Sequence, residues 1–585
     1  MYKLSKLIKN LKNGFQSLSK KERVVVYVST LVLCISFISI VSKLNDKFLV
    51  ATPEEGGSIS EGIVGTPTLI NPVLSVTDAD KDMVALVYSG LMRKTSEGDF
   101  VPDLAESYTI SPDGTIYTFV LKDNLTFHNG DKLTASDVVF TINKIQDPLI
   151  KSPRSIQWEG VLVEEKDPKT IVFALKQPNV SFLNNTTVGI IPVSIWKNIS
   201  PTEFSLSNLN IKGIGSGPYM IKTINYNNEG IPNEYILTRF KHFALGKPYI
   251  KKITIKSYSN EKDLIQNLKN GNIDQAGGIS PFNAEMIKSS TAKISTAILP
   301  RTFGIFFNQS NNKILADSSV RNAVDLSVDR QNIIDQVLKG YGTVIDNPIP
   351  KEIEATSIEN FEANKAEAIE LLEKSGWKVG EDGIRQKGTT TKVTTGTGKN
   401  KKTTEVTKGP FTRLSFTLTT SGDTELLETA EFVRQNMRDV GIEVVIKIYE
   451  TGSLNQIIRA RDYEALLFGQ VINNGSDMFA FWHSSQKTDP GLNIALYNST
   501  KADSLLEQIQ KIAPKEDRLV KYKELNSLFK SDVPAVFIYS PDYIYAISKR
   551  LNFGQPLNIT IPSDRFAQVH LWYVENDMVW KIFAK

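Results

Sequence analysis

Cysteine is almost missing: Cys34 stands alone in 585 residues and lies within an apolar run, so no disulfide can brace the rest of the chain. Stability must come from apolar cores, and at roughly 150 residues per domain this length supports several. Histidine is nearly as scarce. Only His128, His242, His483 and His570 occur, with no H-E-x-x-H and no cysteine pair, which removes the common zinc-centred chemistries. No phosphate-binding P-loop and no strand-to-helix G-x-S-x-G appears. The nearest approach, "GIGSG" at Gly213 to Gly217, leads through Pro218 into a strand pattern, against both a nucleophile elbow and a dinucleotide loop. No cofactor or metal is expected, and a hydrolase built on paired carboxylates is the lesser alternative. A net charge of +4, from 68 basic against 64 acidic side chains, gives no field suited to nucleic acid.

What basic excess there is has a local source. Lys3, Lys6, Lys9, Lys12, Lys20, Lys21 and Arg23 precede the uncharged run Val24 to Val41. Eighteen residues at a helical rise of 1.5 Å reach roughly 27 Å, close to a hydrocarbon core. A cleaved signal peptide shares the pattern, but this run is longer than a signal's apolar region and "SKLNDKFLV" follows without an A-x-A site. The reading is a retained single-pass anchor with a cytoplasmic N-terminus and everything after about Leu44 outside the cell or in a periplasm. Residues 1–23 form the basic cytoplasmic segment, in which Leu4, Leu7, Ile8, Leu11, Phe15 and Leu18 suit a helix lying on the inner membrane face. The anchor is 24–44 and the linker 45–62, with "ATPEEGGSISEGI" from Ala51 read as a tether.

Beyond Ile63 strand and helix patterns interleave, as in mixed α/β lobes. "IYTFVLKDNLTFHNG" alternates like a strand, and "TASDVVFTINKIQDP" opens with helix-capping residues and stops at Pro148. Strands are expected at Thr170 to Leu175, Glu234 to Arg239 and Ile253 to Tyr258. Helices are expected at Glu261 to Lys269, Ser318 to Leu338, Ala363 to Ser375 and Thr424 to Val440. The segment 385–410 is rich in Thr, Lys and Gly and reads as an exposed flexible insertion.

Several stretches carry a resemblance. They include "PDLAES" at Pro102 to Ser107, "SPDGTIYTF" at Ser111 to Phe119, and F-x-x-G-x-x-x-T-A-x-D-V-x-F from Phe127 to Phe140. In order there follow "GSGPY", "GKPYIKKI", "GNIDQA", "FGIFFNQS", "VRNAVDLSVDRQNIIDQVLKGYG" and "PAVFIYSPDYIY". Together they resemble the family 5 extracellular solute-binding proteins, the peptide-, dipeptide- and nickel-binding components of ABC importers, over about Gly62 to Tyr545. The resemblance implies a two-lobed α/β clamp of the periplasmic-binding-protein type (type II, Venus-flytrap) with an accessory domain. The first lobe would comprise 63–92, 206–307 and a return at 541–585; the accessory domain would be 93–205, and the second lobe 308–540. It also implies capture of a solute, with short peptides first and a nickel–chelator complex or oligosaccharide as alternatives, and delivery to ABC permease subunits with their ATPase subunits. A membrane-tethered solute sensor is the other reading.

By the same resemblance, ligand contacts fall at Thr66 and Asn71, on the crossover at Phe303 and Asn308, and on the loop "FGQVINNGSDMFAFWH" at Phe468, Gln470, Asn473, Asn474, Asp477 and Trp482. The peptide binders' A-D-Y-x-D-P loop aligns with Asn474 at its first aspartate and Asp477 at its second. A charged partner for a peptide's ammonium group is therefore lost at Asn474. Trp482 and His483 suit a cleft by chemistry, with core packing and a surface hydrogen bond as their plainer roles.

Overall fold

The computed structural model describes residues 14–15, 17–95, 99–179, 181–287, 292–349, 363–395, 402–472, 477–512, 515–553 and 559–580. The chain divides into two compact units, Ser58–Trp572 and a smaller one made of the two chain ends outside it.

In the smaller unit a helix runs from Lys20 to Phe48. Ser19 caps it, its N–H donating to the Glu22 carboxylate at 2.8 Å, while the Ser19 hydroxyl accepts from the Glu22 N–H. The part from Lys20 to Val41 is long and apolar enough to cross a membrane, and none of it is buried. The expected tether does not follow. The helix passes directly into a strand, Leu49–Pro53, paired antiparallel with Asn576–Trp580, and Gly56–Val64 is a strand in turn. Composition around Ala51 had suggested a coil, but the pairing partner comes from more than 500 residues away, where no local pattern reveals it.

The larger unit is built on strands shared between two lobes. On the first-lobe side the order is Tyr219–Tyr226, Pro232–Arg239, Ile250–Tyr258, Gly56–Val64, Gln275–Gly277 and then the long strand Ala535–Ser548. On the second-lobe side that same strand is followed by Arg301–Phe307, Ala465–Val471, Ser415–Ser421 and Glu443–Tyr449. Its first half pairs with Arg301–Phe307 and its second half with Ala292–Ile298, so chain crosses between the lobes twice, side by side. One crossing bends at Pro300, and beside it the Ser540 hydroxyl, next to Pro541, donates to the Leu299 carbonyl at 2.6 Å. A separate four-stranded antiparallel sheet (Ala105–Ile110, Ile116–Leu121, Thr170–Ala174, Leu162–Asp167) forms the accessory domain. Its first hairpin closes at "SPDG", with Gly114 N–H donating to the Ser111 carbonyl at 2.8 Å.

Period-two alternation sorts the second lobe into two cores. Ile305 and Phe307 face one cluster with Leu418, Leu467 and Val536 beneath helices Ser318–Ser327 and Thr424–Asp439. Phe306, between them, points to the other, with Leu466, Phe537, Trp482 and Phe529 beneath Thr500–Lys511 and Lys515–Asp532. The single helix expected over Ser318 to Leu338 is two, because Asp329 interrupts it and caps Arg330–Gln336 by accepting from the Asn332 N–H. The other expected helices and strands occur within three residues of their bounds. The insertion 385–410 also differs from expectation: its described residues form two strands, Arg385–Thr395 and Lys402–Arg413, in one hairpin. Its threonines and valines favour extended backbone.

One ionic cluster binds distant parts of the first lobe. Glu61, Asp82 and Arg565 are each at least 96 % buried. Arg565 donates to both Asp82 oxygens at 2.6 Å and to Glu61 at 2.8 Å, and Tyr545 and Gln275 donate to Glu61 as well. Burial pushes the Asp82 carboxyl up to about 6, against the pull of Arg565. Replacing Arg565 by Met strands two buried carboxylates, so denaturant unfolding should show a loss of about 3–5 kcal/mol, largely regained when Glu61→Gln and Asp82→Asn are added. A single Arg565→Met variant as stable as the parent would contradict this account.

His128 supplies a second test. Its ring lies 4.9 Å from Phe240, Nδ1 accepts from the Gly215 N–H at 3.4 Å and Nε2 donates to the Gly217 carbonyl at 3.0 Å. Gly215 has to be glycine, since a Cβ there would sit 2.2 Å from the Val87 carbonyl oxygen. Burial pushes His128 down to about 4, below its unfolded value near 6.5, so its stabilising contribution is complete above pH 6.5 and is lost as pH falls toward 4. Between pH 7 and 5 the parent should lose on the order of 1–2 kcal/mol more than His128→Gln, read from paired unfolding curves. Parallel pH profiles would count against it.

Candidate functional site

A cavity of roughly 480 Å³ opens where the first lobe meets the accessory domain, within the usual range for small-ligand sites. One wall is helix Asp78–Val87, started by the Thr77 hydroxyl accepting from the Asp80 N–H, together with the extended segment from Tyr88 to Thr95 that follows it. Another is the turn at Pro153 and Arg154, fastened to the first lobe by two hydrogen bonds: Ser152 Oγ to the Val73 carbonyl at 2.6 Å, and Arg154 Nε to the Pro72 carbonyl at 3.1 Å. The chain's return supplies the third, from Thr560 to Trp572. Three distant stretches therefore converge through backbone fastenings, leaving side-chain ends to face the space.

The chemistry of those ends is uneven. Asp103 is 93 % buried and its Oδ1 has no hydrogen-bond partner among the described residues. Burial pushes its carboxyl up to about 7, opposed by the charges of Arg93 and Lys122. Arg93 Nε is buried and also unbonded, and burial lowers the Arg154 guanidinium from its usual value. Among the described residues neither arginine has a carboxylate within ion-pair distance. His570 lies edge-on to Phe243 at 5.3 Å and is pushed down to about 4, by burial first and by Arg93 second, so it is neutral near pH 7. The cavity thus offers two arginines with no carboxylate in ion-pair contact among the described residues and, within electrostatic reach of Arg93, one carboxyl poised near neutrality. Among the described residues no group of three His, Cys, Asp or Glu side chains is placed to hold a metal.

None of the ten residues expected at the site lines this cavity. Thr66 is half-buried just beyond strand Gly56–Val64. Asn71 is fully buried, its amide donating to Asn210 and accepting from the Val73 N–H, and so it shapes the loop leading to the cavity. Asn308, 1 % exposed, donates to the Arg461 carbonyl and accepts from Ser310 and Asn311, fastening the end of the crossover. Phe303 stacks on Tyr539 at 5.1 Å and lies over Gly469, where a Cβ would meet the ring at 2.6 Å; Phe468 and Gln470 flank that glycine and so take the opposite face of the sheet, Phe468 packing with the Trp482 cluster and Phe303 with the other. Gln470 is buried, with Oε1 unbonded among the described residues. Asp477 begins helix Asp477–Trp482, while Asn473 and Asn474 lie outside the described residues.

Trp482 takes the plainer of its two roles in this structure: it is fully buried, 4.7 Å from Phe529 and 5.7 Å from Phe537. The rings of Phe306, Tyr497, Phe529 and Phe537 around it make the indole a core side chain. His483 stacks on Phe479 at 4.1 Å and its Nδ1 accepts from the Ser485 N–H. Sequence reasoning missed Arg93, Asp103, Arg154 and His570. The available signals were "SPRS", a proline-fixed turn presenting an arginine, and the aspartate within "PDLAES", a stretch that served only to carry the family resemblance.

Comparison with known proteins agrees with this architecture. The model of the "Bacterial extracellular solute-binding proteins, family 5 Middle" matches residues 99–491. The oligopeptide-binding protein AppA of Bacillus subtilis is 29% identical over 521 residues, covering 85% of this chain and 89% of that protein. Its structure with a nonapeptide superposes with a TM-score of 0.68 at 26% identity over 90% of this chain and 100% of that one. The ABC transporter substrate-binding protein CtaP of Listeria monocytogenes gives 0.74 at 25% identity, over 89% and 100%. Because the family model spans well over half the sequence and the solved structures share its two-lobed fold, the chain belongs to the bacterial extracellular solute-binding proteins, family 5.

Proposed function

We propose that this protein captures short peptides as its lobes close, and hands them to the permease of an ABC importer whose separate subunits hydrolyse ATP. It binds and delivers; it does not convert. The observation that carries the reading is the pair of arginines, Arg93 and Arg154, facing the cavity without a carboxylate partner among the described residues. A half-buried cation lacking a counter-ion suits the carboxylate at a peptide's C-terminal end. The likeness to an oligopeptide-binding protein supports the same class of solute. On the second lobe, Phe303 supplies an apolar ring on one face of the sheet and Phe468 and Gln470 an apolar and an amide side chain on the other, and Asn473, Asn474 and Asp477 follow in sequence. Asn474 offers no charge to an ammonium group. The helix Lys20–Phe48 serves as an anchor that holds the binding lobes outside the membrane.

Two measurements test this. Full-length protein in detergent, stripped with acid, should release a mixture of short peptides detectable by mass spectrometry. In titrations with one of them, C-terminal amidation or Arg154→Gln should weaken binding by about tenfold or more, whereas N-acetylation changes it by less than about threefold. A uniform sugar or metal chelate would overturn the peptide reading, and a severe loss on acetylation alone would place the ionic contact at the other end.

Closure has its own readout. In a Cys34→Ser background, spin labels at Lys222→Cys and Lys447→Cys sit on exposed positions of the two lobes. Saturating peptide should shorten their distance distribution, because only a ligand touching both lobes favours the closed form. A tightly bound peptide that leaves the distances unchanged would dismiss the hinge.

A further inference from the structure

Among the described residues two carboxyl groups line the cavity, Asp103 and Asp564, and they differ in what holds them. Asp564 is already committed: one oxygen accepts the Thr560 and Ile561 N–H groups at 2.8 and 3.0 Å, which starts the turn Pro562–Phe566. Asp103 is not. It follows directly on strand Phe100–Pro102, whose pairing with Met92–Lys94 sets Arg93 opposite Val101, and its own N–H donates to the Leu91 carbonyl at 2.9 Å. Lys122 Nζ donates to the Asp103 main-chain carbonyl at 2.6 Å. The carboxyl therefore stands among Arg93, Lys122 and the Ser89 side chain, 93 % buried, with Oδ1 unbonded among the described residues.

An ionised carboxylate in that position has no hydrogen bond to give to an incoming anion and repels it, whereas a protonated carboxyl has one O–H to donate. The arginines that suit a peptide's C-terminal carboxylate thus bring that anion to a group whose own charge opposes the contact. Burial already holds the Asp103 carboxyl up at about 7, against Arg93 and Lys122. A second negative charge beside Arg93 offsets the cation that keeps Asp103 ionised and raises the carboxyl further. The other walls carry Lys81, 3.9 Å from Asp78, Lys94, which donates to Thr560, and Arg154, which donates to the Pro72 carbonyl. Glu106 acts on Lys122, and His570 is held down to about 4, chiefly by burial, so it does not titrate over the same range.

We propose that Asp103 receives a peptide's C-terminal carboxylate as a neutral acid, taking one proton from solvent and donating it in a hydrogen bond to the anion, so that peptide binding and proton binding are coupled. The inference rests on the reading that a peptide carboxylate enters this cavity beside Arg93 and Arg154. It assigns the buried, unbonded oxygen of Asp103 a role in recognition that a merely structural carboxyl would not have. The sign follows from linkage: the complex holds more protons than the free protein, so affinity is highest below the free carboxyl's titration and falls as pH rises through about 7.

Full-length protein in detergent, stripped of its contents, is titrated with N-acetyl-trialanine, whose one titratable group is a carboxylate that stays ionised across the range used. Calorimetry at pH 7.5 in phosphate and in Tris, buffers of different ionisation enthalpy, counts the protons taken up. The expected result is on the order of half a proton or more per peptide, with affinity falling about tenfold from pH 6 to pH 8. In Asp103→Asn, whose amide donates without a proton, the uptake and the pH trend should both vanish. The parent's proton count stands whether or not that variant folds. Binding that C-terminal amidation weakens, yet with no proton uptake in the parent, would overturn the coupling and leave the carboxylate reading standing. Uptake that persists unchanged in Asp103→Asn would overturn the assignment to Asp103. Equal binding of the amidated peptide, or no binding of either, would overturn both.

Discussion

Everything in the larger unit depends on one shared strand. Ala535–Ser548 is hydrogen-bonded along its first half to the second lobe and along its second half to the first, and eleven of its fourteen residues are buried. Its backbone groups have no water to turn to, so neither lobe can release the strand without leaving buried donors and acceptors unpaired. Where the strand passes from one lobe's partner to the other's, Pro541 lacks an N–H to donate and the neighbouring crossing bends at Pro300.

The ionic cluster around Arg565 does comparable work for the first lobe. Its three charged members come from positions 61, 82 and 565, so the chain must complete its full excursion through both lobes before the cluster can form. Buried pairs of this kind add little net stability relative to apolar residues of the same size, but they are intolerant of partial loss. That intolerance specifies where the returning segment Thr560–Trp572 docks, and this segment forms a wall of the cavity. Docking by Arg565 and the placement of Arg93, Arg154 and Asp103 around the cavity are therefore parts of one arrangement: the paired charges hold the wall beside which the other three stand.

Much of the architecture was legible because it is local. The turn at Ser111 to Gly114 and the capped helix from Thr134 follow from short-range sterics and periodicity, and each appears where its residues lead one to expect it. The break at Asp329 was missed because an apolar period runs through it, while an aspartate side chain that can accept from a following N–H restarts the helix. Trp482 shows the limit on the functional side. Its chemistry suits a cleft and a core equally, and only the positions of Phe529 and Phe537, fixed by other elements, place it in the core.

The sequence by itself determined the membrane-length apolar run, the scarcity of metal ligands, the mixed α/β character and, through its ordered motifs, the family. Tertiary structure alone decided that Leu49–Pro53 is a paired strand rather than a tether, that Glu61, Asp82 and Arg565 neutralise one another, and that Arg93 and Arg154 face a common space without carboxylate partners among the described residues. The division has a physical cause. Turns, caps and periodic faces are set by interactions within a few residues, whereas a charge acquires its meaning from whichever distant chain segment lies within a few ångströms of it after folding.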